Sequence, residues 1–280
     1  MWCLAFVLSL LTASAPRAAE LKIATWNLNW LTSRVTGLPA DVKIRQPEDF
    51  DRLRGYALEL NADVVAIEEV DNAETAQRLF PSEGYSIHMS HDRVRQRVGI
   101  AVRRGLAYTV NPDLTALALD PMAHLRSGVD ITLNPTAGPV RVLAIHLKQG
   151  CQYLTFGRSP HTTCVTLMSQ FVIITQWISA RRDEGIPFLV LGDFNRGLDK
   201  NDPFSRMVGG PTPLTRPTEG YSSPCWGREA FIDHILIGGS ARAWVKPHSM
   251  RVLAYRETDP VWKERLSDHC PVSVRLMVPD

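Results

Sequence analysis

The chain has 280 residues, of which 45% are hydrophobic and 21% charged, and 31 Lys and Arg against 29 Asp and Glu give a formal charge of +2. These values exclude a disordered chain, because disorder requires low hydrophobicity and high net charge. They also exclude a scaffold that holds nucleic acid by net charge alone, so any polyanion must be bound by a local group of cations.

The first 19 residues are predicted to be a signal peptide. An apolar run over residues 4–11 is followed by small residues up to Ala19, which is typical of a secretory signal. The run is shorter than the roughly 20 residues that span a bilayer, and no later segment is interpreted as a membrane anchor. Positive charges before the run are missing, and a buried N-terminal strand is the alternative. The sequence therefore predicts a secreted or periplasmic monomer with one domain over residues 20–280.

Short runs rich in β-branched residues alternate with helical patterns along this domain. Strands are predicted over residues 21–26, 62–67, 99–103, 128–133, 140–146, 187–191, 231–237, 244–252 and 271–277. Helices are predicted over residues 47–60, 73–80 and 163–182. In the last helix, Val165, Met168, Phe171, Val172 and Trp177 are interpreted as one buried face. Because several strands lack a following helix, a mixed or antiparallel sheet covered by helices is expected.

The cysteines predict disulfides. Of five in the chain, one lies in the predicted signal peptide, and the even number that remains suits an oxidising compartment. Cys151 and Cys164 flank a turn-rich segment that is easily closed into a loop, which leaves Cys225 to pair with Cys270. Four cysteines allow three pairings. A structural zinc site is the alternative, and the lack of a Cys-x-x-Cys spacing disfavours it.

Polar side chains collect at the ends of the predicted strands, where binding and catalytic groups usually lie. The motifs are Trp26-Asn27, Ile67-Glu68-Glu69-Val70, His146-Leu147, Gly192-Asp193-Phe194-Asn195, Ile232-Asp233-His234 and Ser267-Asp268-His269. Each alone has a simpler explanation, since Asp193 and Asn195 could form a turn and His146 could be a core histidine. Together, their hard oxygen ligands suit Mg²⁺ or Ca²⁺, and the absence of clustered His and Cys disfavours a zinc enzyme.

In order and approximate spacing, these motifs resemble the endonuclease/exonuclease/phosphatase superfamily. That superfamily includes pancreatic-type deoxyribonucleases, abasic-site endonucleases, inositol-polyphosphate phosphatases and neutral sphingomyelinases. The resemblance covers essentially the whole mature chain. It implies an α/β fold, a four-layered sandwich in which two mixed β-sheets pack face to face with helices on the outside. It also implies that the strand-end loops form one metal-bearing cleft.

The resemblance further implies a metal site. Glu69 matches the metal-ligand glutamate because Val70 follows it directly, whereas Glu68 stands where many members have Gln. Asn27 and Asp268 would complete the metal environment. The expected ion is Mg²⁺, with Ca²⁺ or Mn²⁺ as alternatives.

The resemblance also implies the catalytic roles of several residues. His269, paired with Asp233, resembles a general base, because a histidine titrates near neutrality and a carboxylate can hold its tautomer. His146 resembles an acid or a transition-state donor, although residues 92–97 lack the tyrosine and glutamate found in related nucleases, so His146 has no obvious partner. Asp193 and Asn195 would orient the phosphate or the attacking water.

Basic residues are expected on the rim of the cleft. Arg126 stands where related nucleases place a phosphate-contacting arginine. Arg93, Arg95 and Arg97 alternate, so in an extended strand they would form a ladder for successive phosphates. The alternative is a solvated edge-strand face that discourages aggregation. Two further arginines, Arg103 and Arg104, are placed on the same rim.

The predicted function is an exported, metal-dependent endonuclease that hydrolyses DNA or RNA. A hydrolase of a lipid or inositol phosphate is the first alternative, disfavoured because no clear apolar loop or basic amphipathic helix is visible. A binding protein that has lost catalysis is the second, disfavoured because every residue type that the chemistry requires is present.

Overall fold

A computed structural model of the chain describes residues 19–119, 124–136, 138–152, 162–227 and 229–279. The predicted signal peptide, apart from its last residue, lies outside the described residues. That last residue, Ala19, is the first residue of a β-strand.

Thirteen strands and five α-helices are described. The strands are β1 (Ala19–Leu31), β2 (Val64–Val70), β3 (Tyr85–Met89), β4 (Arg97–Arg103), β5 (Tyr108–Val110), β6 (Val129–Leu133), β7 (Val140–His146), β8 (Phe188–Asp193), β9 (Ser222–Ser223), β10 (Glu229–Ala230), β11 (Asp233–Gly238), β12 (Arg251–Val252) and β13 (Val272–Val278). The helices are α1 (Pro47–Leu60), α2 (Ala73–Gln77), α3 (Thr162–Asp183), α4 (Pro203–Met207) and α5 (Val261–Arg265).

Two mixed sheets form the centre of the molecule. Sheet one has the order β12-β13-β1-β2-β4-β3, and sheet two has the order β11-β8-β7-β6-β5. Within sheet one β1 and β2 are parallel, and within sheet two β7 and β8 are parallel. All other pairings in these two sheets are antiparallel.

Three apolar layers hold the sheets and helices together. The inner layer lies between the sheets and contains side chains such as Ile23 and Val142. On the outer face of sheet one, Leu53 of α1 packs in a second layer. On the outer face of sheet two, Phe171 and Ile174 of α3 pack in a third. Because each sheet buries both faces, the fold is the four-layered sandwich that the family resemblance implies.

Helix α3 buries only part of the side that the sequence predicts. Phe171 and Trp177 are buried as predicted, together with Leu167 and Ile174, whereas Val165 and Val172, which were also predicted to lie in the core, are 64% and 41% exposed. The sequence analysis identified no membrane anchor in the domain, but α3 is long and apolar enough to cross a membrane. The core helices of soluble proteins often have the same length and composition. Here its buried side packs against sheet two.

Other differences concern short elements. The strand predicted over residues 244–252 is mostly absent from the structure, because a 3₁₀ helix ends at Trp244 and His248 adopts a φ of 54°, leaving only Arg251–Val252 as a strand. Strands β3 and β5 were not predicted. The helix predicted over residues 73–80 ends at Gln77.

Gly192 is required where β7 and β8 pair at the functional end of sheet two. Its φ is 145°, and a Cβ atom there would lie 1.9 Å from the carbonyl oxygen of Ile145. Only glycine permits so close a backbone approach. The pairing places His146 opposite Asp193, and Asp193 is in turn paired with Asp233 of β11. Three neighbouring strands therefore bring one imidazole and two carboxylates into one row.

Candidate active site

An irregularity in sheet one positions the glutamate of the site. Asn27 of β1 pairs with Glu68 of β2, but the next pair joins Leu31 to Val70, so three residues of β1 lie opposite Glu69 alone. Glu69 has a φ of 60°. A non-glycine residue in this region costs about 1–3 kcal/mol and persists only where its surroundings fix it. Such bulges re-aim side chains at functional sites, as in this case.

Three donors fix the Glu69 carboxylate. Asn27 Nδ2 donates to Oε1 over 3.2 Å, and the backbone N–H of Trp30 donates to Oε2 over 3.1 Å. Gln96 Nε2 also donates to Oε2. His146 Nε2 lies 3.8 Å from Oε1. Glu69 is therefore held in one orientation with an oxygen facing the cluster, as a metal ligand needs. Gln96 was not singled out from the sequence.

Asn27 and Asn195 both support Asp193. Asn27 Nδ2 donates to Asp193 Oδ2 over 3.1 Å, while its Oδ1 accepts the backbone N–H of Asn29 over 2.9 Å. Asn27 thus acts as a donor to two carboxylates, and a metal-ligating role for its oxygen stays a prediction. Asp193 Oδ1 accepts the backbone N–H of Asn195, whose Nδ2 donates to Leu147 O over 3.0 Å. Asp193 and Asn195 therefore form the turn after β8 and are also part of the site.

The protonation of Asp193 is sensitive to its surroundings. Burial raises the pKa of Asp193 to about 7, the positive charge of His269 opposes this rise, and the negative charge of Asp233 adds to it. A carboxyl with so perturbed a pKa, inside a cluster of charged groups, is typical of a functional site.

His269 and Asp233 form an ion pair. His269 Nδ1 lies 2.8 Å and 3.0 Å from the two carboxylate oxygens of Asp233, and Nε2 lies 3.8 Å from Asp193 Oδ2. Burial lowers the pKa of His269, but the charges of Asp233 and Asp193 outweigh it and raise that pKa well above its usual value. The carboxylates thus stabilise the imidazolium, the form that a general base reaches on accepting a proton.

His146 lies beside these groups in a neutral state. Burial, with the charges of Arg126 and His269, lowers the pKa of His146 well below its usual value. Its Nε2 is 3.5 Å from Asp193 Oδ2, and Nδ1 has no hydrogen-bond partner among the described residues. A neutral imidazole can donate a hydrogen bond but has no spare proton to release. Of its two predicted roles, the structure favours the transition-state donor over the acid.

Glu68 is chemically unlike its neighbour Glu69. It is fully buried, its Oε1 accepts a hydrogen bond from Thr25 Oγ1 over 2.8 Å, and its Oε2 has no partner among the described residues. Burial, with the charge of Asp233, raises the pKa of Glu68 well above its usual value. Burial therefore disfavours the charged form of Glu68 and makes its side chain resemble that of glutamine, which supports the choice of Glu69 as the ligand.

The donor set fits a divalent cation. One ligand atom each from Asp193, Asp233 and His269 lies within 4.8 Å of the other two. Glu69 adjoins this group through His146. Asp268 lies at the edge, with a side chain that is 57% exposed and Oδ1 4.0 Å from His269 Nε2. Clustered carboxylate oxygens are the ligands that Mg²⁺ and Ca²⁺ prefer. The ligand roles predicted for Glu69 and Asp268 stay predictions.

Among the predicted cations, Arg126 interacts electrostatically with the acids Glu69 and Asp193. Its Nε donates to Gln96 O over 3.2 Å. Burial lowers the pKa of Arg126, while the charges of Glu69 and Asp193 oppose that effect. A cation this close to the carboxylates is well placed to contact a bound phosphate.

The predicted arginine ladder is wrong. Arg93 and Arg95 lie in an exposed bend before β4, so they do not share a strand face. Arg97 begins β4, but its Nε donates to Asp71 O over 2.8 Å and holds the backbone. Arg103 pairs with Asp63 at the opposite end of β4, and Arg104 donates to a carbonyl there, so neither lies on the rim. Arg93 and Arg95 remain as exposed cations close to Gln96.

Both predicted disulfides are present. Cys151 joins Cys164, and Cys225 joins Cys270. The second disulfide ties the segment around Cys225 to the residue that follows His269. Trp226 reinforces this tie, since its Nε1 donates to Ser267 O over 2.9 Å. Disulfides of this kind persist in oxidising compartments.

Because of the buried histidine His234, the free energy of unfolding is expected to fall in acid. His234 is fully buried, its Nδ1 lies 2.9 Å from Thr218 Oγ1 and its Nε2 3.0 Å from Arg196 O. Burial lowers the pKa of His234 to about 4. Its contribution to stability is therefore complete above pH 6.5 and is lost as the pH falls towards 4, by up to about 3 kcal/mol.

We expect His234→Gln to remove this component. Urea unfolding at pH 7 and pH 4 should show a smaller difference in the free energy of unfolding than in the wild type. His248→Asn changes an exposed histidine and should keep the wild-type pH dependence. An unchanged pH dependence in His234→Gln would contradict the assignment.

The fold and the site together define a class: a four-layered α/β sandwich with a histidine and carboxylate cluster at the strand ends. Residues 24–269 match the sequence profile of the Endonuclease/Exonuclease/phosphatase family, and the chain belongs to this family. Its members are divalent-metal-dependent hydrolases of phosphoester bonds. No curated protein matches the chain in sequence.

Solved structures share the fold at low sequence identity. The D. rerio TDP2 complexed with single strand DNA product is 16% identical, with a TM-score of 0.62 over 92% of this chain and 98% of that one. The human Nocturnin catalytic domain with bound sulfate anion is 16% identical, with a TM-score of 0.54 over 91% and 93%. An endonuclease/exonuclease/phosphatase from Bacteroides vulgatus is 14% identical, with a TM-score of 0.58 over 93% and 99%.

Proposed function

We propose that the protein is an exported, Mg²⁺-dependent endonuclease that hydrolyses phosphodiester bonds of DNA or RNA. The observation that carries this proposal is the His269–Asp233 pair, with a nitrogen-to-oxygen distance of 2.8 Å, beside the buried carboxylate of Asp193. Hydrolysis by water needs a general base, here oriented by a carboxylate, and oxygen ligands for a metal ion.

Each side chain of the site has a separate role in the reaction. In its neutral form His269 accepts at Nε2 a proton from the attacking water as the new O–P bond forms and the P–O bond to the leaving group breaks, and the departing alkoxide takes a proton from solvent. Asp233 stabilises the resulting imidazolium through Nδ1. His146 donates a hydrogen bond to a phosphoryl oxygen, and Asn195 orients Asp193 through its backbone N–H and its Nδ2. Glu69, Asp268 and Asn27 would hold Mg²⁺, which would supply positive charge to offset the charge developing on the phosphoryl oxygens.

Two features support a polymer substrate. The cavity beside His269 and Asp268 has a volume of about 180 Å³, whereas sites that enclose a small molecule usually measure about 300–1,000 Å³. A phosphate within a chain lying across the surface needs no larger pocket. Arg126 near the acids and the exposed Arg93 and Arg95 beside Gln96 supply cations for neighbouring phosphates. The D. rerio relative is described with a single strand DNA product.

Export is part of the proposal. The two disulfides, Cys151–Cys164 and Cys225–Cys270, support an oxidising compartment. We further propose that the protein acts as a monomer without a stable membrane anchor, which the packing of α3 against sheet two supports.

A phosphodiester in a lipid is the second candidate substrate. The outer side of α3 favours it, because no charged residue occurs from Thr162 to Ala180 and the side chains of Val165 and Val172 are exposed. An apolar helix side of this kind could lie against a lipid surface. The arginines around the site favour the nucleic acid.

A substrate panel tests the proposal. Plasmid DNA, RNA, sphingomyelin vesicles and a soluble phosphomonoester are each incubated with Mg²⁺, with Ca²⁺ and with EDTA. We expect cleavage of the nucleic acids with Mg²⁺ and none with EDTA, and binding that weakens steeply with salt.

His269→Ala, purified in parallel, shows whether cleavage comes from this protein or from a contaminating nuclease. Activity only on sphingomyelin or on the phosphomonoester would overturn the nuclease proposal. A folded protein that is inactive on all four substrates would indicate a binding protein.

A further inference from the structure

A second group of ligand-type side chains lies at the edges of the two sheets. His88 belongs to β3, the edge strand of sheet one, and His91 follows two residues after that strand ends. Asp113 follows β5, the edge strand of sheet two. None of these residues has a role in the proposed hydrolysis. We refer to them as the edge cluster.

The ligand atoms of the edge cluster converge. His91 Nδ1 is 2.8 Å from Asp113 Oδ2, and His88 Nε2 is 3.9 Å from Asp113 Oδ1. One ligand atom of each residue lies within 4.8 Å of the other two. In tetrahedral zinc sites with bonds of about 2.0–2.1 Å, neighbouring ligand atoms lie about 3.3 Å apart. The observed separations fall on both sides of that value, so small side-chain movements would complete a site.

Two atoms of the edge cluster are buried without a hydrogen bond. These are His88 Nε2 and Asp113 Oδ1, which have no partner among the described residues. The Asp113 side chain is only 4% exposed, and its unpaired oxygen faces the His88 ring. A distance of 3.9 Å is too long for a hydrogen bond. Because an unsatisfied buried polar atom is costly, such a pair calls for an unseen ion or water.

We propose that His88, His91 and Asp113 form a second metal site, which binds a transition-metal cation of the Zn²⁺ type. Two imidazole nitrogens and one carboxylate oxygen are a donor set that suits Zn²⁺ better than Mg²⁺. The cation would satisfy both unpaired atoms. The His91 side chain is 80% exposed, so the fourth position opens to solvent and water completes the coordination.

The location of the edge cluster gives the second metal site a structural purpose. It joins the edge strands of the two sheets, and the segment that follows it leads from His91 to Gln96. Asp92 already ties that segment to Ser127, whose backbone N–H and hydroxyl both donate to its carboxylate. Gln96 donates to Glu69. A cation at the edge cluster would therefore hold the start of a segment whose end supports the active site.

Metal content tests the inference in the full-length protein. Wild type, His91→Asn and His248→Asn are stripped with a chelator, dialysed against Zn²⁺ and analysed for bound zinc and for Tm. His91 and His248 are both exposed, and the two variants carry the same change. We expect His91→Asn to bind one equivalent of zinc fewer than the other two proteins and to gain less Tm from Zn²⁺.

Co²⁺ provides a second readout of the edge cluster. Absorption bands typical of tetrahedral Co²⁺ with nitrogen ligands should appear in wild type and in His248→Asn, and should be lost in His91→Asn and in Asp113→Asn. Zinc bound at the active site affects all the variants alike, so the difference reports the edge cluster. Equal zinc content in wild type and His91→Asn would overturn the proposal and leave a hydrogen-bonded His–Asp pair only.

Discussion

Replacing His269 with alanine is expected to lower the turnover number by about two to four orders of magnitude, the range typical of a general base. The imidazole is the group that can accept the water proton, and Asp233 lies 2.8 Å from its other nitrogen. The backbone around it should persist, because the Cys225–Cys270 disulfide and the hydrogen bond from Tyr255 to His269 O do not involve the imidazole. Steady-state kinetics on the preferred nucleic acid, with a thermal melt of each protein, measure the effect.

Two further measurements separate a base from a structural residue. Added imidazole should restore part of the turnover of His269→Ala, because a soluble base can enter the space that the side chain leaves. Asp233→Asn should also lower turnover, because the amide cannot stabilise the imidazolium as a carboxylate does. Near-normal turnover of a folded His269→Ala would refute the role of His269.

The general position of the site could be read from the sequence, because its residues follow apolar runs that end at one edge of the fold. The run before His146 and the run before Asp193 become parallel strands, so their ends meet. Gly192 was recognisable in its motif, although the close approach to Ile145 that requires glycine is visible only in the structure.

What could not be read from the sequence depends on backbone register and on contacts between distant segments. Alternation of Arg93, Arg95 and Arg97 predicts a ladder only if the backbone is extended, and the chain bends there instead. The partner of Arg97 is a backbone carbonyl, which side-chain patterns cannot reveal. His88 and Asp113 are brought together by the packing of two sheets.

The two neighbouring glutamates of β2 give a matched pair of variants, and Glu69→Gln should show the larger effect. The change removes a negative charge from the cluster. The carboxylate also accepts from Asn27 on one oxygen and from Trp30 and Gln96 on the other, so an amide must turn its NH₂ group towards a donor. We expect turnover to fall by about 10²–10³-fold and the Mg²⁺ concentration for half-maximal activity to rise by about 10-fold or more. Activity at graded Mg²⁺ and calorimetric titration of Mg²⁺ measure these changes.

Glu68→Gln is the control, because it makes the same chemical change one residue away. Burial raises the pKa of Glu68 well above its usual value and so disfavours its charged form, and glutamine, which is uncharged and of the same shape, suits the same buried position. The hydrogen bond from Thr25 can be kept by the amide oxygen. Mg²⁺ affinity should therefore stay close to wild type in Glu68→Gln. If Glu68→Gln lost Mg²⁺ binding and Glu69→Gln kept it, the metal would lie on the other glutamate, and the bulge that aims Glu69 at the cluster would need another explanation.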